Sequence, residues 1–154
     1  MKKRILCIVL ACILTVTFLP AYALAAQTTT EETVTYYEDG SYMVSVVETV
    51  QSRASGTVTH TKSDTYYSSN NVAQWYIRLI GTFDYNGVIA TCTNSTCQVT
   101  IHNTNNWYLI SKNATKSRNT ASCAVTFGIQ TEGVTVSRPT YNLSISCDVN
   151  GNKI

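Results

Sequence analysis

The dipeptide Asn86-Gly87 lies inside the most regularly alternating stretch of the chain, residues 75–101. Both central residues of a type I′ hairpin turn need φ > 0, and Asn and Gly tolerate that best. A two-residue turn here pairs Tyr85 with Val88, Phe83 with Ala90 and Gly81 with Cys92. Side chains alternate between faces along a strand. Trp75, Ile77, Leu79 and Phe83 then share one face with Val88, Ala90 and Cys92, and Tyr76, Arg78, Thr82 and Asp84 take the other. A second, weaker turn at Asn94-Ser95 sets Cys92 opposite Cys97 and adds Val99 and Ile101 to the apolar face. The two turns together predict a three-stranded meander, and a slip of one residue would turn its whole apolar face outward.

The rest of the chain reads as β as well. Short strands are expected at residues 33–37, 42–51, 57–67, 107–111, 120–130, 134–137 and 141–149. Tyr42, Val44, Val46 and Val50 share one face of their strand, with Met43 and Val47 on the other. Turns are expected at residues 38–41, 103–106 and 131–133, loops at 52–56 and 68–71, and a polar, solvated segment at 112–119. Trp107 and Leu109 should point inward, as should Cys123, Val125, Phe127 and Ile129, and then Tyr141, Leu143, Ile145, Cys147 and Val149. Pro139 marks a break or an edge. Eight to ten strands at this spacing imply an all-β domain over residues 33–154. The expected form is an antiparallel β-sandwich, Ig-like or similar, with a β-barrel as the alternative and a signal-peptide helix in front.

That helix is the expected state of residues 1–25. Lys2, Lys3 and Arg4 precede an apolar run over residues 5–19, Pro20 ends it, and Ala23-Leu24-Ala25 offers the small residues a signal peptidase reads. Cleavage after Ala25 leaves a polar tail at residues 26–32, expected to be flexible. The reading places the protein outside the cell or on its surface. Three of the eleven Lys and Arg residues leave with the signal, so eight face nine Asp and Glu and the balance is −1 rather than +2. Such a surface lacks the basic bias that nucleic acid or an anionic membrane would select, so neither is an expected partner.

Cys7 and Cys12 also leave with the signal, and Cys92, Cys97, Cys123 and Cys147 remain. An even count in a secreted chain reads as disulfides. The hairpin register favours Cys92–Cys97 with Cys123–Cys147. A pairing that ties Cys92 or Cys97 to Cys147 stays open, because all four should face the core.

Other chemistries find little footing. A Cys₄ zinc site needs four thiolates converging from tight knuckles, whereas these cysteines lie on strand faces. His102 points away from Cys97 by alternation, and His60 and His102 are the only histidines. No Gly-x-Ser-x-Gly elbow occurs. The acids Glu38, Asp39, Glu48, Asp64, Asp84, Glu132 and Asp148 fall mostly in turns or on outer faces, where carboxylates are solvated. Asp148-x-Asn150-Gly151-Asn152 has oxygens at alternate positions, as a calcium loop does, yet its glycine is misplaced for an EF-hand and a C-terminal turn is the simpler reading. No cofactor or metal is expected. Candidate surface-binding residues are the basic set Lys112, Lys116 and Arg118 and the tyrosines Tyr76 and Tyr108. Tyr36-Tyr37 and Tyr66-Tyr67 must each expose one ring by alternation.

The run Gly81-Thr82-Phe83-Asp84-Tyr85-Asn86-Gly87, continued by Ala90-Thr91-Cys92-Thr93, resembles a motif of small uncharacterised secreted proteins from Gram-positive bacteria. The ending Ser146-Cys147-Asp148-Val149-Asn150-Gly151-Asn152 is similar to their C-terminus, and Trp107 with residues 111–119 fits loosely. The resemblance implies a source and a destination, and carries over no catalytic residue. The expected function is that of a non-catalytic extracellular or cell-surface binding domain, with a cell-envelope component or another protein as partner. A secreted antimicrobial or toxin-like effector and an extracellular glycan hydrolase are the alternatives.

Overall fold

The computed structural model describes residues 28–50 and 56–154. The expected signal peptide, with Cys7 and Cys12, lies outside the described residues, as does most of the loop expected at 52–56. Nine strands follow in order: β1 (Thr28–Tyr36), β2 (Tyr42–Val50), β3 (Gly56–Tyr67), β4 (Ala73–Tyr85), β5 (Ala90–Ile101), β6 (Trp107–Ser117), β7 (Thr120–Thr131), β8 (Val134–Ser137) and β9 (Thr140–Ser146). They form two antiparallel sheets that do not close into a barrel, as expected of a sandwich.

The first sheet is a plain meander, β1-β2-β3-β4-β5. In the second, β7 is central. β6 lies on one side of it, and β8 and β9 share the other, β9 pairing with Thr120–Thr126 and β8 with Ile129–Thr131. β8 and β9 are thus one strand interrupted at Arg138 and Pro139. The expected break at Pro139 is real, and the chain stays anchored there because Phe127 N–H donates to the Pro139 carbonyl at 3.0 Å. Residues 28–32, expected to belong to a flexible tail, form the start of β1.

The core is the layer where β4 and β5 meet β7 and where β3 and β4 meet β9. Trp75, Ile77, Leu79 and Phe83 are fully buried, as their alternation requires, and pack against Ala121, Cys123, Val125, Phe127, Leu143, Ile145 and Cys147. On β2 it is Met43 and Val47 that reach this core, which leaves Tyr42, Val44 and Val46 on the outer face. Gly81 allows the close approach of β4 to β7. A Cβ there would stand 2.7 Å from the Phe83 ring and 2.8 Å from the Ala121 Cβ. Leu109 pairs with Phe127 yet remains 38% exposed, against expectation, because β6 is an edge strand and bulges at Ile110.

The meander over residues 75–101 differs from the expected one at both turns. The first is a four-residue loop, with Asn86 N–H donating to the Ile89 carbonyl at 3.2 Å and Tyr85 facing Ala90. Only Gly87 adopts positive φ, at 82°, so the type I′ geometry is not formed. Asn86 instead uses its side chain: Oδ1 accepts the N–H groups of Val88 and Ile89 at 3.0 and 2.9 Å. Val88, expected inward, is 83% exposed at the loop tip. The second turn does not exist. Asn94 and Ser95 lie within β5, which runs unbroken to Ile101.

In place of that turn stands a β-bulge. Phe83 faces Cys92 and Thr82 faces Asn94, so Thr93 has no partner in the ladder. Cys92 and Cys97 are five residues apart and would point to opposite faces of a regular strand. The extra residue shifts the phase, and both are buried. Being on one strand, they cannot face each other, so the favoured Cys92–Cys97 and Cys123–Cys147 bonds are both replaced. Cys97 instead bonds Cys123 of β7, with Cα atoms 5.9 Å apart, joining the two sheets. Cys92 and Cys147 carry free, buried thiols.

Candidate functional site

The outer face of the five-stranded sheet carries the largest set of grouped aromatic side chains outside the core. Its geometry starts at the β1–β2 turn. Asp39 Oδ1 accepts from the Ser41 amide at 3.0 Å and from the Ser41 hydroxyl, and Gly40 takes φ 78°. The turn sets Tyr36 opposite Tyr42, and the next hairpin sets Tyr42 opposite Tyr67. Cross-strand neighbours on one face are close enough for their rings to touch. Tyr36 and Tyr42 are 5.7 Å apart between centroids; Tyr42 and Tyr67 stack at 4.8 Å with planes 9° apart. Tyr36 is 75% exposed.

Behind this row the same face carries Val34, Val44, Thr65 and Tyr76, one on each of four successive strands. At the far end an ion pair joins Arg78 to Glu48 at 3.5 Å. The face therefore grades from exposed rings through small apolar and hydroxyl groups to a charged pair. Flat aromatic faces beside hydroxyl and charged groups suit a ligand that is itself part apolar and part hydrogen-bonding.

The expected binding residues are not brought together. Tyr76 belongs to this face. Tyr108 lies on the outer face of the other sheet, where its ring covers Gly128, a Cβ at Gly128 falling 2.1 Å from it, and its hydroxyl meets Thr135 at 2.7 Å. Residues 112–119, expected to be polar and solvated, are exposed as far as Arg118, but they form the second half of β6 and its tight turn to β7 rather than a loop. Lys112 and Lys116 sit opposite the buried Val125 and Ala121 on the inward side of this edge strand. Lys116 Nζ donates to the Thr93 carbonyl at 2.6 Å, closing the gap left by the β5 bulge. Charges placed this way discourage edge-to-edge pairing. Arg118 occupies the turn at φ 51°. Tyr42 was read as a strand residue but not as a candidate for binding. The signal was present, since a turn centred on Asp39 leaves Tyr36 and Tyr42 three residues away on either side.

Two of the acids are held by nearby donors. Asp84 accepts from Thr57 Oγ1 at 2.7 Å. Asp148 accepts from the Asn150 and Asn152 amides, each at 2.8 Å, and so closes the C-terminal turn. Among the described residues no three His, Cys, Asp or Glu side chains gather as a metal site. His60, fully buried beside Phe83, lies with Nε2 3.0 Å from the Gly151 carbonyl. A carbonyl can only accept, so Nε2 carries the proton. Burial pushes the His60 pKa down, with Lys153 adding to that and Gly151 and Asp148 opposing it. On the second sheet's outer face, Asn113 and Thr115 on one side and Asn142 and Ser144 on the other wall a trough of about 310 Å³.

No family model matches the chain, and comparisons with curated proteins and with solved structures return no match.

Asp64 is the one acid withdrawn from water. It is 6% exposed, and its Oδ1 has no hydrogen-bond partner. Burial pushes its carboxyl above the ordinary 3.8, against smaller opposing effects of the Ser45 hydroxyl and Lys62. The folded state therefore holds this proton more tightly. As pH rises past 3.8 the unfolded chain releases its proton first, so stability falls from there up to the folded-state pKa and then levels off. Asp64→Asn should remove this fall and stabilise the protein at pH 7 by about 1 kcal/mol, the scale of one orphaned buried acceptor. Urea midpoints of both proteins at pH 4 and pH 7 check it. A variant weaker than the parent at pH 7 would show that the carboxylate is stabilising.

Proposed function

We propose that the chain is a secreted, non-catalytic binding domain and that the outer face of its five-stranded sheet takes glycan chains of the bacterial cell envelope. The row Tyr36, Tyr42 and Tyr67 carries this reading. The C–H faces of a sugar ring pack against aromatic faces, while its hydroxyls need hydrogen-bonding groups alongside. This sheet presents both, the rings at one end and Thr65, Ser63, Glu48 and Arg78 beyond them. The trough on the other sheet has amide and hydroxyl groups without a ring among its lining residues, so it lacks the apolar half of that chemistry. The signal-like N-terminus and the resemblance to secreted Gram-positive proteins support an extracellular setting, with which a buried disulfide is compatible.

Retention of the purified protein on isolated Gram-positive cell-wall polysaccharide, followed by calorimetric titration with soluble fragments of it, tests the proposal. Tyr42→Ala and Tyr67→Ala should each weaken binding about tenfold, the value of one lost ring contact. Tyr108→Ala, on the opposite face, should leave it unchanged. Both affected side chains lie on an outer face, so the variants should stay folded. Failure of the wild-type protein to be retained, or retention indifferent to Tyr42 and Tyr67, rules the reading out.

A further inference from the structure

We propose that Cys92 and Cys147 form a second disulfide, which ties the start of β5 to the end of β9 and so closes the sandwich at the tip of the β6–β7 hairpin. Both side chains are buried, at 5% and 0% exposure, within the same core cluster. The same turn holds both backbones. Cys92 N–H donates to the Arg118 carbonyl at 2.6 Å, and Cys147 N–H donates to the Asn119 carbonyl at 3.0 Å. Asn119 also donates its side-chain amide to the Cys147 carbonyl at 2.7 Å. Two consecutive residues of one tight turn thus position the two cysteines, one arriving from each sheet.

The present partners of the two sulphurs are weak and local. Cys92 Sγ–H donates to the Asn94 carbonyl at 3.2 Å, and Cys147 Sγ–H to the Asp148 carbonyl at 3.4 Å. Neither bond holds the sulphur against rotation toward the other. Cys97 and Cys123 are already bonded to each other, so of the four cysteines only these two are left to pair. Cys147 also senses Cys92. Burial pushes Cys147 up to about 11, and Asp148 and Cys92 add to the shift. Burial likewise raises Cys92, with Lys116 pulling the other way. Thiolates are scarce in the closed core, so the bond forms more readily while the two thiols are still open to solvent. In that step two S–H bonds break and one S–S bond forms. Two protons and two electrons pass to a disulfide-bearing oxidant outside the cytoplasm, whose own S–S bond is reduced to two thiols.

The test uses the full mature chain secreted into an oxidising medium. It is unfolded in guanidinium without reductant, alkylated with iodoacetamide and weighed. No added alkyl group is expected, against four after reduction, and a non-reduced digest should contain the Cys92 and Cys147 peptides as one cross-linked species. Two alkyl groups located on Cys92 and Cys147, or either residue found bonded to another cysteine, overturns the proposal. Cys92→Ser and Cys147→Ser should each lower the thermal midpoint by roughly 10 °C, and the double variant should fall no further than the larger single. Additive losses would mean that the two residues act independently and would equally overturn it.

Discussion

Trp75→Ala is expected to lower the unfolding free energy by about 3–5 kcal/mol, the cost of removing a large aromatic from a core that cannot collapse around the gap. Trp75 stands near the start of β4, the inner strand of the larger sheet that faces both β7 and β9, and it is fully buried. Its ring meets Tyr141 at 4.4 Å, Phe127 at 5.0 Å, Tyr66 at 5.5 Å and Trp107 at 6.1 Å. Those four partners come from β3, β6, β7 and β9, so one side chain joins both sheets. Trp75→Phe keeps much of this packing. It also deletes the indole N–H, which has no hydrogen-bond partner, so its loss should be below about 2 kcal/mol. Urea unfolding of the three proteins, with the dependence on denaturant unchanged, makes the measurement. A loss under 1 kcal/mol for the alanine variant would mean that the core is not organised around this residue.

Cys97→Ala combined with Cys123→Ala is expected to destabilise the protein by about 3–4 kcal/mol. The bond spans 26 residues of sequence, and chain-entropy arithmetic for a loop of that length gives a value of this order. It also joins β5 to β7 directly across the layer, next to the phase change at Thr93. Each single variant should lose about as much as the double, because either one breaks the bond, and each leaves one thiol that alkylates in denaturant. A double variant as stable as the parent would show that packing of β4 on β7 holds the sheets together without the cross-link.

The outer-face tyrosines show how much of the candidate site could be read in advance. Alternation alone requires one ring of Tyr36-Tyr37 and one of Tyr66-Tyr67 to face outward. Which ring does so, and whether the exposed ones touch, depends on strand pairing. The stacking of Tyr42 on Tyr67 follows from the β2–β3 register, which the alternation within either strand does not encode. The basic set was assigned to a loop rather than to a strand for a related reason. Lys112, Lys116 and Arg118 are polar by composition, but an edge strand uses lysines on its inward side, and composition does not distinguish an edge from a loop.

The chain's own pattern settled which residues of β4, β7 and β9 are buried, because alternation is a local rule that holds whatever the strand pairs with. It also placed Ala90 and Cys92 inward despite a misjudged turn. The Asn86 loop is longer than expected by two residues, and an even change leaves the facing of every later side chain intact. Tertiary structure decided the rest. A bulge at Thr93 brings Cys97 onto the face of Cys92, and only the second sheet lying opposite determines that its partner is Cys123. Local sequence encodes the parity of a strand; the choice of neighbour is a contest between distant surfaces, settled by how two sheets stack.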